Sequence, residues 1–291
     1  MKTSVSTYSF SKLIKSGEYT QLSVIRLAKS MGFDGIEFTN LLPPKGVEQK
    51  EYALDLREEC AKNRIEVVNY TIGAELLNAD SLDKEVERLY DQVDVAALLG
   101  AKGMRHDATR GFVGSDSSFK SFEQALRPLV EGCRRVTEYA GGKGIKTMVE
   151  NHGFFCQDSE RVEKLITQVG KENFGALVDI GNFLCVDESP ALAVGRLAPF
   201  AKHVHVKDFH IKSGIEGNPG DGFFATRGGN YLRGAIVGHG NVPVKQCLSV
   251  LKKSGYDGFV SIEFEGMEAP CLGIELGLKN LKRFIEEISN T

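Results

Sequence analysis

Apolar positions along this chain alternate between two kinds of pattern. Short apolar runs at residues 5–10, 35–38, 65–72, 102–107, 146–151, 175–180, 202–207 and 259–264 predict strands. Between them, at 21–30, 49–63, 81–99, 118–139, 159–169, 244–254 and 271–288, apolar residues recur at intervals of three and four, the mark of helices with one buried face. Ser81 and Ser159 stand where N-caps are expected, and Gly100, Gly144 and Gly255 fall just past helix ends. Eight strand-and-helix units in 291 residues predict an α/β fold, a single (β/α)8 TIM barrel spanning 1–291. The alternative is a doubly wound open sheet, which calls for a glycine-rich phosphate loop after the first strand; residues 7–12 contain no glycine.

An internal echo supports the barrel. The stretch KSMGFDGIEF at 29–38 returns as KSGYDGFVSIEF at 253–264, so a helix end, a turn and an acidic strand are reused in the second and eighth units. Similar units predict similar settings. Glu37 either lines the site or is a buried structural carboxylate, the second being the more conservative reading. The one irregular stretch, at about 209–242 between the seventh strand and its helix, is rich in glycine and far longer than the usual connection in such units. It is expected to form a lid or ligand contact and to decide the substrate.

Composition narrows the partners. With 42% hydrophobic and 26% charged residues the chain is globular, and a net charge of -3 gives no overall electrostatic attraction to nucleic acid or an anionic membrane. No apolar stretch has the length of a membrane span and MKTSVSTYSFSK lacks the apolar core of a secretory signal, so the cytoplasm is the expected compartment. The six cysteines are scattered without a CxxC pair, which predicts buried free thiols.

The candidate chemistry lies at strand ends, in VENH (Glu150, His152), LVDIGN (Asp179, Asn182), HVHVKD (His203, His205, Lys207) and SIEFE (Glu263, Glu265). Side chains alternate along a strand, so His203, His205 and Lys207 share a face, as do Glu263 and Glu265. Inward residues near the C-terminal ends line the mouth of a barrel. Charges buried there are costly unless paired or bound to metal. Glu150, Asp179, His205 and Glu263 together offer three carboxylates and one imidazole, a set suited to Mn²⁺, Mg²⁺ or Co²⁺ in an open octahedral site more than to tetrahedral structural Zn²⁺.

In these stretches the chain resembles the xylose-isomerase-like barrels, which include sugar isomerases, ketose 3-epimerases, inosose-processing enzymes and the second family of apurinic endonucleases. The resemblance covers essentially the whole chain. It rests on the glutamate of VENH, the aspartate of LVDIGN, the second histidine of HVHVKD, the Gly-x-Gly of VGHGNVP and the first glutamate of SIEFE. It implies that Glu150, Asp179, His205 and Glu263 hold one divalent metal ion, Mn²⁺ ahead of Mg²⁺, Co²⁺ or Zn²⁺, and that Glu150 and Glu263 flank the substrate as the catalytic acid and base. It also implies a homo-oligomer, a dimer or tetramer. Many members carry a histidine three residues after the sixth-strand aspartate, where this chain has Asn182. That departure, only six histidines in all and no basic surplus argue against a trinuclear zinc site and DNA repair.

Further residues are expected to contact substrate, each with a plainer structural reading beside it. They are His106 at the end of the fourth strand, His152 two residues past Glu150, Asn182, Lys207, and Arg227 and His239 in the long loop. His203 is as readily a hydrogen-bonded core histidine, Lys207 a partner of Glu265, and Arg233 a solvated loop residue. The expected activity is that of a divalent-metal-dependent isomerase or epimerase of small keto sugars, moving a proton next to a carbonyl through an enediolate. The alternative is a lyase, either a deglycosidase on 3-keto glycosides or an inosose-type dehydratase, with His152 or His239 as an extra base. A non-catalytic sugar-binding barrel is less favoured. Neither nucleic acid nor membrane is an expected partner.

Overall fold

Strands that are buried on both faces read as continuous apolar runs, and eight such strands close into one barrel here. The computed structural model describes residues 1–114 and 120–290. The barrel strands are β1 (Lys2–Ser6), β2 (Gly35–Phe38), β3 (Glu66–Ile72), β4 (Gly103–His106), β5 (Lys146–Glu150), β6 (Phe174–Asp179), β7 (Ala201–Val206) and, after three short strands, β11 (Phe259–Ile262). All pair in parallel, and the ring closes where β1 lies between β2 and β11. The first and last barrel strands thus meet at one seam.

The surrounding helices are α1 (Ser11–Lys15), α2 (Gln21–Met31), α3 (Gln49–Asn63), α4 (Leu82–Leu99), α5 (Phe122–Gly141), α6 (Ser159–Val169), α7 (Pro190–Leu197), α8 (Val244–Lys253) and α9 (Pro270–Ser289). Their apolar stripes pack on the barrel: α5, for example, buries Leu126, Leu129, Cys133 and Val136 at helical spacing. Helix α4 is capped at its N-terminus by Ser81, whose hydroxyl accepts from the Lys84 N–H, and at its C-terminus by Gly100 with φ 82°. No helix among the described residues is long and apolar enough to cross a membrane. All six cysteines are free thiols, five of them buried.

Four local features differ from the sequence pattern. The first strand stops at Ser6, and Thr7–Phe10 forms a 3-10 turn, because the Ser6 hydroxyl takes the Tyr8 N–H and turns the chain while Phe10 stays buried. Ser159 is the first helical residue and not the cap; Asp158 precedes it, and Glu188 receives both the Ser159 N–H and hydroxyl. The helix expected from 118 starts at Phe122, with Ser121 N–H donating to Gln124 Oε1 at 2.7 Å; residues 118 and 119 lie outside the described residues. Helix α7 went unread because eight residues give barely two turns of periodicity.

The stretch at 209–242 is not irregular throughout. It folds as an antiparallel sheet of β8 (Asp208–Lys212), β10 (Tyr231–Ala235) and β9 (Phe224–Ala225). The Asp208 carboxylate fixes its base by accepting backbone N–H groups from Phe209, Gly238, Gly240 and Val242 at 2.8–3.0 Å. A Cβ on Gly240 would lie 2.2 Å from Asp208 Oδ1, so the glycine of VGHGNVP is needed for close approach.

Candidate active site

Four strand ends deliver one ligand atom each, from Glu150, Asp179, His205 and Glu263, to a cluster in which these atoms lie within 4.8 Å of one another. The register sets Asp179 beside His205 across β6 and β7. His205 Nδ1 lies 3.7 Å from Glu150 Oε1, 3.9 Å from Asp179 Oδ2 and 3.6 Å from Glu263 Oε1. Both His205 Nδ1 and Asp179 Oδ2 are buried without a hydrogen-bond partner among the described residues. Such atoms are costly to bury unless something binds them, and three carboxylate oxygens with one imidazole nitrogen fit a divalent cation.

The chain orients each of these donors. His205 Nε2 faces Glu37 Oε2 at 2.9 Å, which puts its proton on Nε2 and leaves Nδ1 to the cluster. Glu37, on the other side, also meets His203 Nε2 at 2.9 Å and the Thr71 hydroxyl. Asp179 Oδ1 accepts from the N–H groups of Gly181 (2.8 Å) and Asn182 (3.0 Å), so only Oδ2 points to the centre. A Cβ at Gly181 would stand 2.6 Å from Lys207 O; its absence lets the ends of β6 and β7 come together.

Two cations neutralise the surplus of carboxylates. Arg105 Nη2 lies 2.7 Å from both Glu150 Oε2 and Asp107 Oδ1. Lys207 Nζ lies 2.7 Å from Glu263 Oε2, 3.5 Å from Asp179 Oδ2 and 3.6 Å from Glu265 Oε2. Asn182 joins the two sides, donating to Glu150 Oε1 at 3.0 Å and accepting from Lys207 at 3.2 Å.

Protonation follows from these contacts. Burial works against the charge on Glu150, but Arg105 and His205 outweigh it and hold the carboxyl well below the usual carboxylate range. Glu37 is likewise held low against burial by His205 and His203. Burial would lower the pKa of His205, yet Glu37 and Glu263 push it well above the ordinary imidazole value. Asp179 goes the other way: burial, reinforced by Glu150 and Glu263 and opposed by Lys207, pushes it up to about 6. Lys207 overcomes its burial through Glu263 and Glu265 and is raised.

Above the cluster opens a cavity of about 220 Å³ lined by Tyr8, Thr39, Asn40, Thr71, Ile72, Gly73, Arg105, Glu150, His152, Lys207, Glu263 and Glu265. Ligand sites for drug-sized molecules span roughly 300–1,000 Å³, so this one admits a small molecule such as a monosaccharide or cyclitol. His152 stands at the wall as expected, its Nδ1 3.1 Å from Asp107 Oδ1; burial lowers its pKa but the Asp107 hydrogen bond raises it further.

Four residues expected to contact substrate do not line this cavity. His106 is fully buried with its ring against Phe174, because strand alternation sends Arg105 inward and His106 outward. Asn182 is buried and braces Glu150 and Lys207. Arg227 pairs with Asp158 Oδ1 at 2.5 Å and donates to Phe154 O, tying the small sheet to the loop after β5. His239 is exposed, while its glycine neighbours clamp Asp208. Among the described residues that line the cavity, none comes from 209–242, so that stretch supplies no cavity wall here. The sequence reading missed Arg105, Tyr8, Thr39, Asn40 and Thr71. Arg105 alone carried a signal, a charge inside an apolar strand beside Asp107.

The fold and this strand-end cluster define the class: the chain belongs to the xylose isomerase-like TIM barrel family, whose model matches residues 25–287. An inosose dehydratase of Clostridium perfringens is 24% identical over 267 residues, covering 89% of this chain and 86% of that protein. Among solved structures, the IOLI protein with a bound zinc atom superposes with a TM-score of 0.75 at 17% identity, covering 99% of both chains. An L-ribulose 3-epimerase gives a TM-score of 0.75 at 13% identity, covering 99% of this chain and 96% of that one. At those identities the structural likeness establishes the fold.

Proposed function

We propose that this protein is a divalent-metal-dependent lyase that removes water from a small polyhydroxy ketone, a dehydratase of the inosose type. The observation that carries the reading is the convergence of Glu150, Asp179, His205 and Glu263, with Asp179 Oδ2 and His205 Nδ1 buried and without a hydrogen-bond partner among the described residues. A divalent ion held there, Mn²⁺ foremost, supplies a Lewis acid that polarises a ketone and acidifies the neighbouring C–H.

The chain's own groups carry the proton steps. Glu263, whose carboxylate lines the cavity beside Lys207, takes the proton from the carbon next to the carbonyl. The hydroxyl on the following carbon then leaves as water, its proton coming from the wall, where His152 is held by Asp107. The enol left behind tautomerises to a diketone. Glu150 is pinned as a carboxylate by Arg105, which suits it to holding the cation and makes it a weak donor for returning a proton to the opposite face. The extensive match to an inosose dehydratase favours elimination over the isomerase or epimerase reading in the same way.

Epimerisation stays as the second reading, because Glu150 and Glu263 both border the cavity. The test is to incubate the Mn²⁺-loaded protein with 2-keto-myo-inositol in heavy water and to follow diketone formation and deuterium uptake. Dehydration gives a diketone that Glu263→Gln abolishes. Exchange with stereochemical inversion and no loss of water would replace the proposal with epimerisation, and neither reaction in a well-folded, metal-loaded protein would remove both.

A further inference from the structure

Bulky aliphatic side chains fill the interior of most barrels of this kind, yet a connected set of polar ones lies next to His205 here. Ser4, Glu37, Asn69, Thr71, His203 and Ser261 are all buried, and they come from β1, β2, β3, β7 and β11. Glu37 is their hub. Its Oε2 faces His203 Nε2 and His205 Nε2, each at 2.9 Å. Its Oε1 accepts the Thr71 hydroxyl, whose oxygen in turn takes the Asn69 amide at 3.2 Å. His203 Nε2 also lies 2.9 Å from Ser261 Oγ, and Ser261 Oγ lies 2.6 Å from Ser4 Oγ. Strand register brings these groups together, since Ser261 is level with Ser4 on one side and with His205 on the other.

A carboxylate only accepts, so both imidazoles present a hydrogen on Nε2 to Glu37. Glu37, His203 and His205 are compact enough to hold a cation themselves. Their facing atoms, however, already have hydrogen-bond partners, whereas Asp179 Oδ2 and His205 Nδ1 have none among the described residues. The polar set therefore serves the strand-end cluster and not a second ion. The last bond of a glutamate side chain turns easily, and here Thr71 fixes one carboxylate oxygen while His203 fixes the other.

We infer that His203 is a positioning residue for the proposed metal centre: with Ser261 and Ser4 behind it, it fixes the Glu37 oxygen that orients His205, and so aims His205 Nδ1 at the ion. His203 belongs neither to the four-donor cluster nor to the cavity wall, so its hydrogen bond acts on the ion through Glu37. Its ring also meets the His205 ring edge-on at 5.7 Å, a packing contact that an apolar side chain could replace. This inference rests on the cluster holding a divalent ion and is independent of the reaction that follows.

Titration with Mn²⁺ followed by electron paramagnetic resonance, on the wild type, His203→Leu, His203→Gln and Ser261→Ala, tests it without turnover. His203→Leu should weaken Mn²⁺ binding about 10–100-fold, the usual cost of losing an outer partner of a metal ligand. His203→Gln restores an N–H donor and should recover most of that loss. Unchanged affinity in His203→Leu, or equal losses in the Leu and Gln variants, would overturn the role given to the N–H. Ser261→Ala removes one hydroxyl and should weaken binding about threefold, in keeping with the loss of one hydrogen bond. Should His203→Leu fail to fold, Ser261→Ala carries the test, and an unchanged affinity there overturns the inference. A wild type that takes up no Mn²⁺ removes the metal site and the inference together. Normal uptake by the wild type with unmoved variants removes the inference alone.

Discussion

His205 Nε2 lies 2.9 Å from Glu37 Oε2, so a carboxylate on the second strand fixes the imidazole on the seventh. Glu263 faces the other nitrogen of the same ring, with Oε1 3.6 Å from Nδ1. These are the glutamates of the two echoing stretches, and they hold opposite edges of one histidine. Glu37→Gln keeps the shape and loses the charge that orients the ring. Metal affinity should fall about 10–100-fold, the usual cost of losing such a partner, with the circular dichroism spectrum unchanged. Titration with Mn²⁺ checks this, and an undiminished affinity would show that Glu37 is only structural.

The raised pKa of Asp179 gives the metal's effect a pH dependence. An acid whose folded pKa stands above its unfolded one binds the proton better when folded, so its burial is unfavourable above about 6 and relieved as pH falls through about 6. Metal needs the ionised carboxylate and a neutral His205, whose pKa is also raised, so the stability gained from Mn²⁺ should shrink as pH falls, most steeply through about 6. Melting with and without Mn²⁺ at about pH 7.5 and about pH 5 reads the difference. An equal or larger gain at the lower pH would contradict the assignment of Asp179 as a ligand.

Arg105 is 5% exposed and neutralises Glu150 and Asp107 together. Arg105→Leu leaves two carboxylates without their cation in the barrel mouth, and about 3–5 kcal/mol of stability should be lost in urea denaturation of the metal-free protein. His106→Leu, by contrast, lies outside the cavity wall and should leave the affinity for ketose within about twofold, well inside the 1.4 kcal/mol that marks a tenfold change.

At Gly181 the backbone geometry is itself the requirement. Gly181→Ala places a methyl 2.6 Å from Lys207 O, where backbone and not a flexible side chain must move. A loss of about 1–3 kcal/mol is expected, with weaker metal binding because the strand ends carrying Asp179 and His205 are pushed apart. Denaturation and Mn²⁺ titration together check it, and unchanged values for both would refute the close-approach argument.

Chain chemistry alone determined the eight-unit barrel and picked out four candidate donors, which the structure brings together. Alternating periods specify strands and helices locally, and a carboxylate or imidazole at the end of a strand buried on both faces stands out against its apolar neighbours. Glu150, Asp179, His205 and Glu263 were legible for that reason. What only the tertiary structure decided is everything that depends on the phase of a strand or on contacts far apart in sequence. A shift of one residue exchanges the two faces of a strand, and the packing of β4 turned Arg105 to the cavity and His106 away from it. The 209–242 stretch carried the glycines of a loop, yet Asp208 gathered four backbone N–H groups and folded it into a sheet away from the cavity wall. Asn182, Arg105 and Lys207 became one brace across the site because β4, β5, β6 and β7 are neighbours in the closed barrel, a proximity that no spacing along the chain encodes.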